Sequence, residues 1–120
     1  MDKFDIIVEG KPNGDGYVLR YCTRKNSDVY CLGVPLYYSQ GGDWDLGPTW
    51  CYVVPDDGGV TLIDTGQFGK FEVLQSMLGQ AGFSIRDIRR IILTHSHEDH
   101  DGNLPEVREA SGAEVWAHRD

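Results

Sequence analysis

Residues 89–94, RRIILT, run without a break into three histidines, His95, His97 and His100. No other feature constrains the fold as much. Four apolar or β-branched residues in a row predict a buried strand, and the polar cluster after them requires that strand to end at a ligand-rich loop. The cluster reads His95, Ser96, His97, Glu98, Asp99, His100, Asp101, Gly102. Histidine and aspartate are the ligand types that zinc, iron and manganese sites use when no thiolate is present.

Spacing adds to the chemistry. In an extended segment, residues two apart project to the same side, so His95 and His97 can grip one ion from a strand end. If the chain then turns, Asp99 and His100 face a neighbouring space and can hold a second ion. Gly102 suits a tight bend there, and Asn103 is a predicted cap for a helix through LPEVREAS, with Pro105 in its first turn. The zincin HExxH pattern is absent, because Asp101 stands four residues after His97.

The rest of the chain predicts a frame around this loop. FDIIVEG and GYVLRYCT are strands separated by the turn-rich spacer KPNGD, and DVYCLGV is a third. WCYVV and VTLIDT are two more, joined by PDDGG. FEVLQSMLGQAG carries apolar residues at helical spacing, SIRD has the form of a capping box from Ser84 to Asp87, and AEVWAH closes the series as a short strand. Antiparallel strands followed by strand–helix–strand–helix–strand predict an α/β architecture on a mixed sheet. The Gly-rich aromatic stretch 37–50, with Tyr37, Tyr38, Trp44 and Trp50, reads equally as a flap over the metal centre or as a plug at the sheet edge.

Composition narrows the partners. The 120 residues carry a net charge of −8 with no basic block. A nucleic-acid or anionic-membrane surface needs clustered Lys and Arg, so neither is expected. Three cysteines, Cys22, Cys31 and Cys51, lack CxxC spacing, and an odd number fits a reducing compartment. No apolar run approaches a membrane span and the N-terminus shows no signal-peptide pattern, so the expected location is the cytoplasm.

TLIDTG at 61–66, a helix, and ILTHSHEDHDGN at 92–103 together resemble the N-terminal half of the metallo-β-lactamase fold superfamily, whose hallmark is HxHxDHxG at the end of a strand. The resemblance spans roughly residues 30–120 and implies half of an αβ/βα sandwich, a mixed β-sheet with flanking helices. It implies His95 and His97 as ligands of a first metal, and Asp99 and His100 as ligands of a second. Asp99 would also serve catalysis by orienting the reacting water. Asp64 is similar to the strand-end carboxylate that supports the ligand histidines. Zinc is the implied metal, two ions in the complete fold, with iron or manganese as the other candidates. Asp101 departs from the small or apolar residues common at its position.

The resemblance also implies what should lie outside these residues. The family completes its sites with later ligands, and His118 does not match them. The expectation is therefore one incomplete domain over residues 1–120, whose open sheet face needs a missing C-terminal half or a dimer partner. The implied activity is metal-dependent hydrolysis of a small-molecule ester, thioester, lactone or related bond. A mononuclear iron oxidoreductase of the persulfide-dioxygenase type and a non-catalytic metal-binding fragment are the alternatives. His97 disfavours the flavodiiron branch, which carries glutamate there.

Overall fold

A computed structural model of the chain describes residues 3–22, 28–36, 47–94 and 100–117. Among these residues seven strands form one sheet in sequence order: β1 Lys3–Val8, β2 Val18–Cys22, β3 Asp28–Val34, β4 Thr49–Asp56, β5 Gly59–Ile63, β6 Ile88–Leu93 and β7 Glu114–Ala117. The first five pair antiparallel, and β5, β6 and β7 pair parallel, so the sheet is mixed as predicted. Each parallel step needs a crossover. Helix α1, Phe71–Gln80, makes the first and helix α2, Leu104–Ser111, the second.

The two helices cover one face. Leu74, Met77 and Leu78 of α1 and Val107 of α2 are buried with Leu32, Val53, Leu62 and Ile91 from the strands, forming one apolar core. Helical spacing in FEVLQSML puts the first three on one stripe, which is why the sequence pattern locates the buried face correctly. Before β6, Ser84 and Asp87 form the expected capping box. The Ser84 hydroxyl accepts from the Arg86 amide, and the Asp87 carboxylate accepts from the Ser84 amide.

The other face is different. Register pairs Ile6 with Leu19, Leu19 with Cys31, Cys31 with Tyr52, Tyr52 with Ile63, Ile63 with Ile92 and Ile92 with Trp116. A single row thus crosses all seven strands without a charged side chain. Among its members Ile6 is 61% exposed, Tyr52 37% and Trp116 56%, with Phe4 beside them at 61%. Burial on both faces is what makes strands read as near-continuous apolar runs, and here only one face is covered by described residues. Trp50, the last residue of the aromatic stretch and the first of the expected WCYVV strand, lies in β4 opposite Gly33. Its aromatic side chain lines this same face with Phe4, Leu19, Cys31 and Tyr52. Tyr37, Tyr38 and Trp44 lie outside the described residues.

Candidate metal centre

Parallel pairing of β5 and β6 brings their carboxyl ends side by side, the edge at which open α/β sheets place their ligands. β5 ends at Ile63 and the next residue is Asp64; β6 ends at Leu93 and the next is Thr94. The Asp64 amide donates to the Ile92 carbonyl at 2.8 Å, which extends the ladder by one bond. The chain then turns, with Asp64 at φ 67°, a left-handed conformation that aspartate tolerates better than most residues. Such backbone strain in a non-glycine residue concentrates at functional sites.

Asp64 is 3% exposed and its carboxylate is fully engaged. Oδ1 accepts from the Thr94 amide at 2.8 Å, and Oδ2 accepts from the Thr94 hydroxyl at 2.7 Å. Oδ2 also lies 2.9 Å from Nδ1 of His100. An ionised carboxylate can only accept, so in this contact Nδ1 is the donor, and in the neutral ring the lone pair is then on Nε2. Metal-ligating histidines show this arrangement, in which a carboxylate fixes the tautomer and ring orientation and raises the basicity of the coordinating nitrogen. The donor chemistry at His100 therefore fits a metal ligand, and Asp64, expected to support the ligand histidines, is brought within hydrogen-bond distance of the His100 ring.

A second set of contacts holds the same loop. Thr65, fully buried, donates both its amide and its hydroxyl to the His100 carbonyl, at 2.6 and 2.9 Å. The Gly102 amide donates to the Gly66 carbonyl at 3.1 Å, and Gly66 bridges Asp101. Gly102 sits in the expected bend, inside the turn that the Leu104 amide closes by donating to the Asp101 carbonyl at 3.0 Å, while the positive backbone angles fall on the facing loop, at Asp64 and Gly66.

Asn103 corrects another expectation. It precedes α2 but makes no side-chain cap. Its amide side chain is buried instead, donating to the carbonyls of Thr65 and Gln67 at 2.8 and 2.9 Å and accepting from the Lys70 amide at 3.2 Å. Local sequence offers no sign of this, because every partner lies more than thirty residues away.

The remaining ligand candidates, His95, His97 and Asp99, lie outside the described residues, as does His118. Among the described residues no three His, Cys, Asp or Glu side chains converge. The three cysteines are thiols with no disulfide; Cys31 and Cys51 are buried in the sheet, and none accompanies His100 at the strand ends.

The sequence profile of the metallo-beta-lactamase superfamily matches residues 44–120. Hydroxyacylglutathione hydrolase of Jannaschia sp. (strain CCS1) is 35% identical over 82 residues, covering 64% of this chain and 25% of that protein. The probable metallo-hydrolase YqjP of Bacillus subtilis (strain 168) is 34% identical over 79 residues, covering 64% and 23%. Among solved structures, a beta-lactamase from Chitinophaga pinensis superposes with a TM-score of 0.60 at 26% identity, over 92% of this chain and 36% of that one. The chain spans about a quarter of the length of the curated relatives it matches. With strand order, strand-end site and profile in agreement, the chain belongs to the metallo-beta-lactamase superfamily.

Proposed function

We propose that the protein is a metal-dependent hydrolase, and that these residues carry the first half of its dinuclear site. The observation that carries the reading is the carboxylate–imidazole pair of Asp64 and His100, seated at the carboxyl ends of two parallel strands. It directly follows the sequence His-Ser-His-Glu-Asp. In this reading His95 and His97 hold one ion, and Asp99 and His100 hold the other. Two divalent ions, when bound, supply a water activated at neutral pH and polarise the scissile oxygen. Asp99 orients that water, and Asp64 keeps the His100 ring aimed at its ion.

Zinc is the proposed metal, given the histidine-rich donor set. The substrate is a small molecule with an ester, thioester or lactone bond. The net charge of −8 argues against a polyanionic substrate. The relatives support hydrolysis: one is a hydroxyacylglutathione hydrolase and another a probable metallo-hydrolase. The proposed location is the cytoplasm; among the described residues no helix is long and apolar enough to cross a membrane.

The apolar row on the open face supports a further part of the reading. An exposed apolar surface that spans a whole sheet is rare on a soluble monomer. We assign its cover to the rest of the fold, or to a dimer partner, with the remaining metal ligands supplied from outside these residues.

The test is metal analysis of the intact protein, followed by assays on thioester, lactone, ester and β-lactam substrates with oxygen uptake measured in parallel. Two zinc ions per chain and chelator-sensitive hydrolysis are expected. Iron with oxygen consumption and no hydrolysis would overturn the assignment.

A further inference from the structure

His100 is held at both ends by two consecutive residues. The Asp64 carboxylate binds its ring nitrogen, while Thr65 binds its main-chain carbonyl twice. The Thr65 hydroxyl works in both directions, donating to the His100 carbonyl and accepting from the Asn103 main-chain amide at 3.1 Å. Asn103, with none of its surface exposed, then fixes the Thr65 carbonyl, the Gln67 carbonyl and the Lys70 amide. Both donors and the acceptor of its amide group are thus committed to the 65–70 loop.

We propose that Thr65 and Asn103 are positioning residues for the metal centre: together they clamp the Asp64 loop to the His100 loop and set the direction in which His100 presents its coordinating nitrogen. The inference rests on the dinuclear reading above. Its physical basis is leverage. The imidazole is tied to Asp64 and the backbone to Thr65, so any slippage between the two loops rotates the ring about its own Cα. A clamp made of short-range capping bonds would not do this; one that crosses between the two strand ends does. The residue types are specific too. Asn103 faces two carbonyls, so a carboxylate there would set like partial charges against each other without changing volume. Thr65 needs a hydroxyl, which serine would supply and valine would not.

The experiment is cobalt(II) and zinc titration of the intact protein by competition with a chelator, with circular dichroism and thermal melting of the metal-free form alongside. Thr65→Val and Asn103→Asp are expected to weaken the second, His100-containing site about tenfold, the lower end of the loss seen when groups that orient ligands are removed. The first site should keep its affinity, and the cobalt absorption bands of the second should shift. Thr65→Ser should restore parental affinity and spectrum. Asn103→Asp serves if Thr65→Val does not fold, and the serine variant serves if neither does, since it must then bind as the parent. Equal affinities and spectra in parent and variants would overturn the clamp alone, as would a serine variant as impaired as valine. A parent that binds no ion would overturn the dinuclear reading itself, and the clamp with it.

Discussion

Oδ2 of Asp64 and Nδ1 of His100 lie 2.9 Å apart, although thirty-six residues separate them in the chain. The contact exists because β5 and β6 are parallel neighbours whose ends arrive at the same edge. It places a buried carboxylate on the ring of a proposed metal ligand, and it makes Asp64 the first residue to test.

Asp64→Asn keeps a side chain that tolerates the left-handed backbone but removes the charge that holds the Nδ1 proton. Metal affinity at the His100 site should fall by about 10- to 100-fold with little change in melting temperature. Asp64→Ala also leaves the Thr94 amide and hydroxyl without their carboxylate acceptor, which costs about 1–3 kcal/mol of stability. Chelator competition and thermal melting separate the two effects.

Single ligand variants should remove ions one at a time. His97→Ala is expected to lose the first ion and His100→Ala the second, each leaving close to one zinc per chain by elemental analysis. Loss of both ions from either variant would instead mean one shared, strongly coupled site.

Gly66→Ala probes the fit between the two site loops. Gly66 has φ 86°, and a Cβ there would lie 2.9 Å from Cγ1 of Val34 and 3.5 Å from Nδ2 of Asn103. Left-handed strain of about 1–3 kcal/mol is expected, with crowding added to it. Denaturant unfolding should register this loss, and a metal titration should show a weakened site.

The open sheet face predicts how the 120-residue chain behaves by itself. It should bind a hydrophobic dye and self-associate, as measured by fluorescence and sedimentation. Ile6→Lys with Tyr52→Lys, two members of the same exposed row, should reduce both effects. In the intact protein the same pair of substitutions should destabilise the fold if that face is covered.

Burial pushes the Cys31 thiol above its ordinary value of 9.0. The neutral, protonated thiol is the form that burial favours, so the unfolded chain releases its proton first as pH rises. Stability should therefore hold below about pH 9 and fall as pH climbs through the raised value. Melting temperature against pH will show this, and Cys31→Ala should flatten the alkaline decline. Thiol labelling of the native protein should reach half-exposed Cys22 before Cys31 or the fully buried Cys51.

Much of this fold is legible in the chain itself. Alternating and continuous apolar runs mark the strands, helical spacing in FEVLQSML marks the buried stripe of α1, and SIRD marks its capping box. The strand that precedes the histidine cluster is legible as well, from its unbroken apolar run. All of these are local signals, written in periods of two and 3.6 residues or in spacings of a few positions. Asn103 is where they mislead. An asparagine before a helix reads as a cap, yet its side chain bonds a loop more than thirty residues earlier.

The sequence alone determined the element types, their order and the histidine- and aspartate-rich segment that follows β6. Tertiary structure decided which side chains meet there: Asp64 on the His100 ring, Thr65 on its carbonyl, and Asn103 on the carbonyls of Thr65 and Gln67. It also decided that the apolar residues of seven strands line up as one open row. The physical reason is the same in each case. A hydrogen bond or a cross-strand register depends on which distant segments meet, and no local period records that meeting.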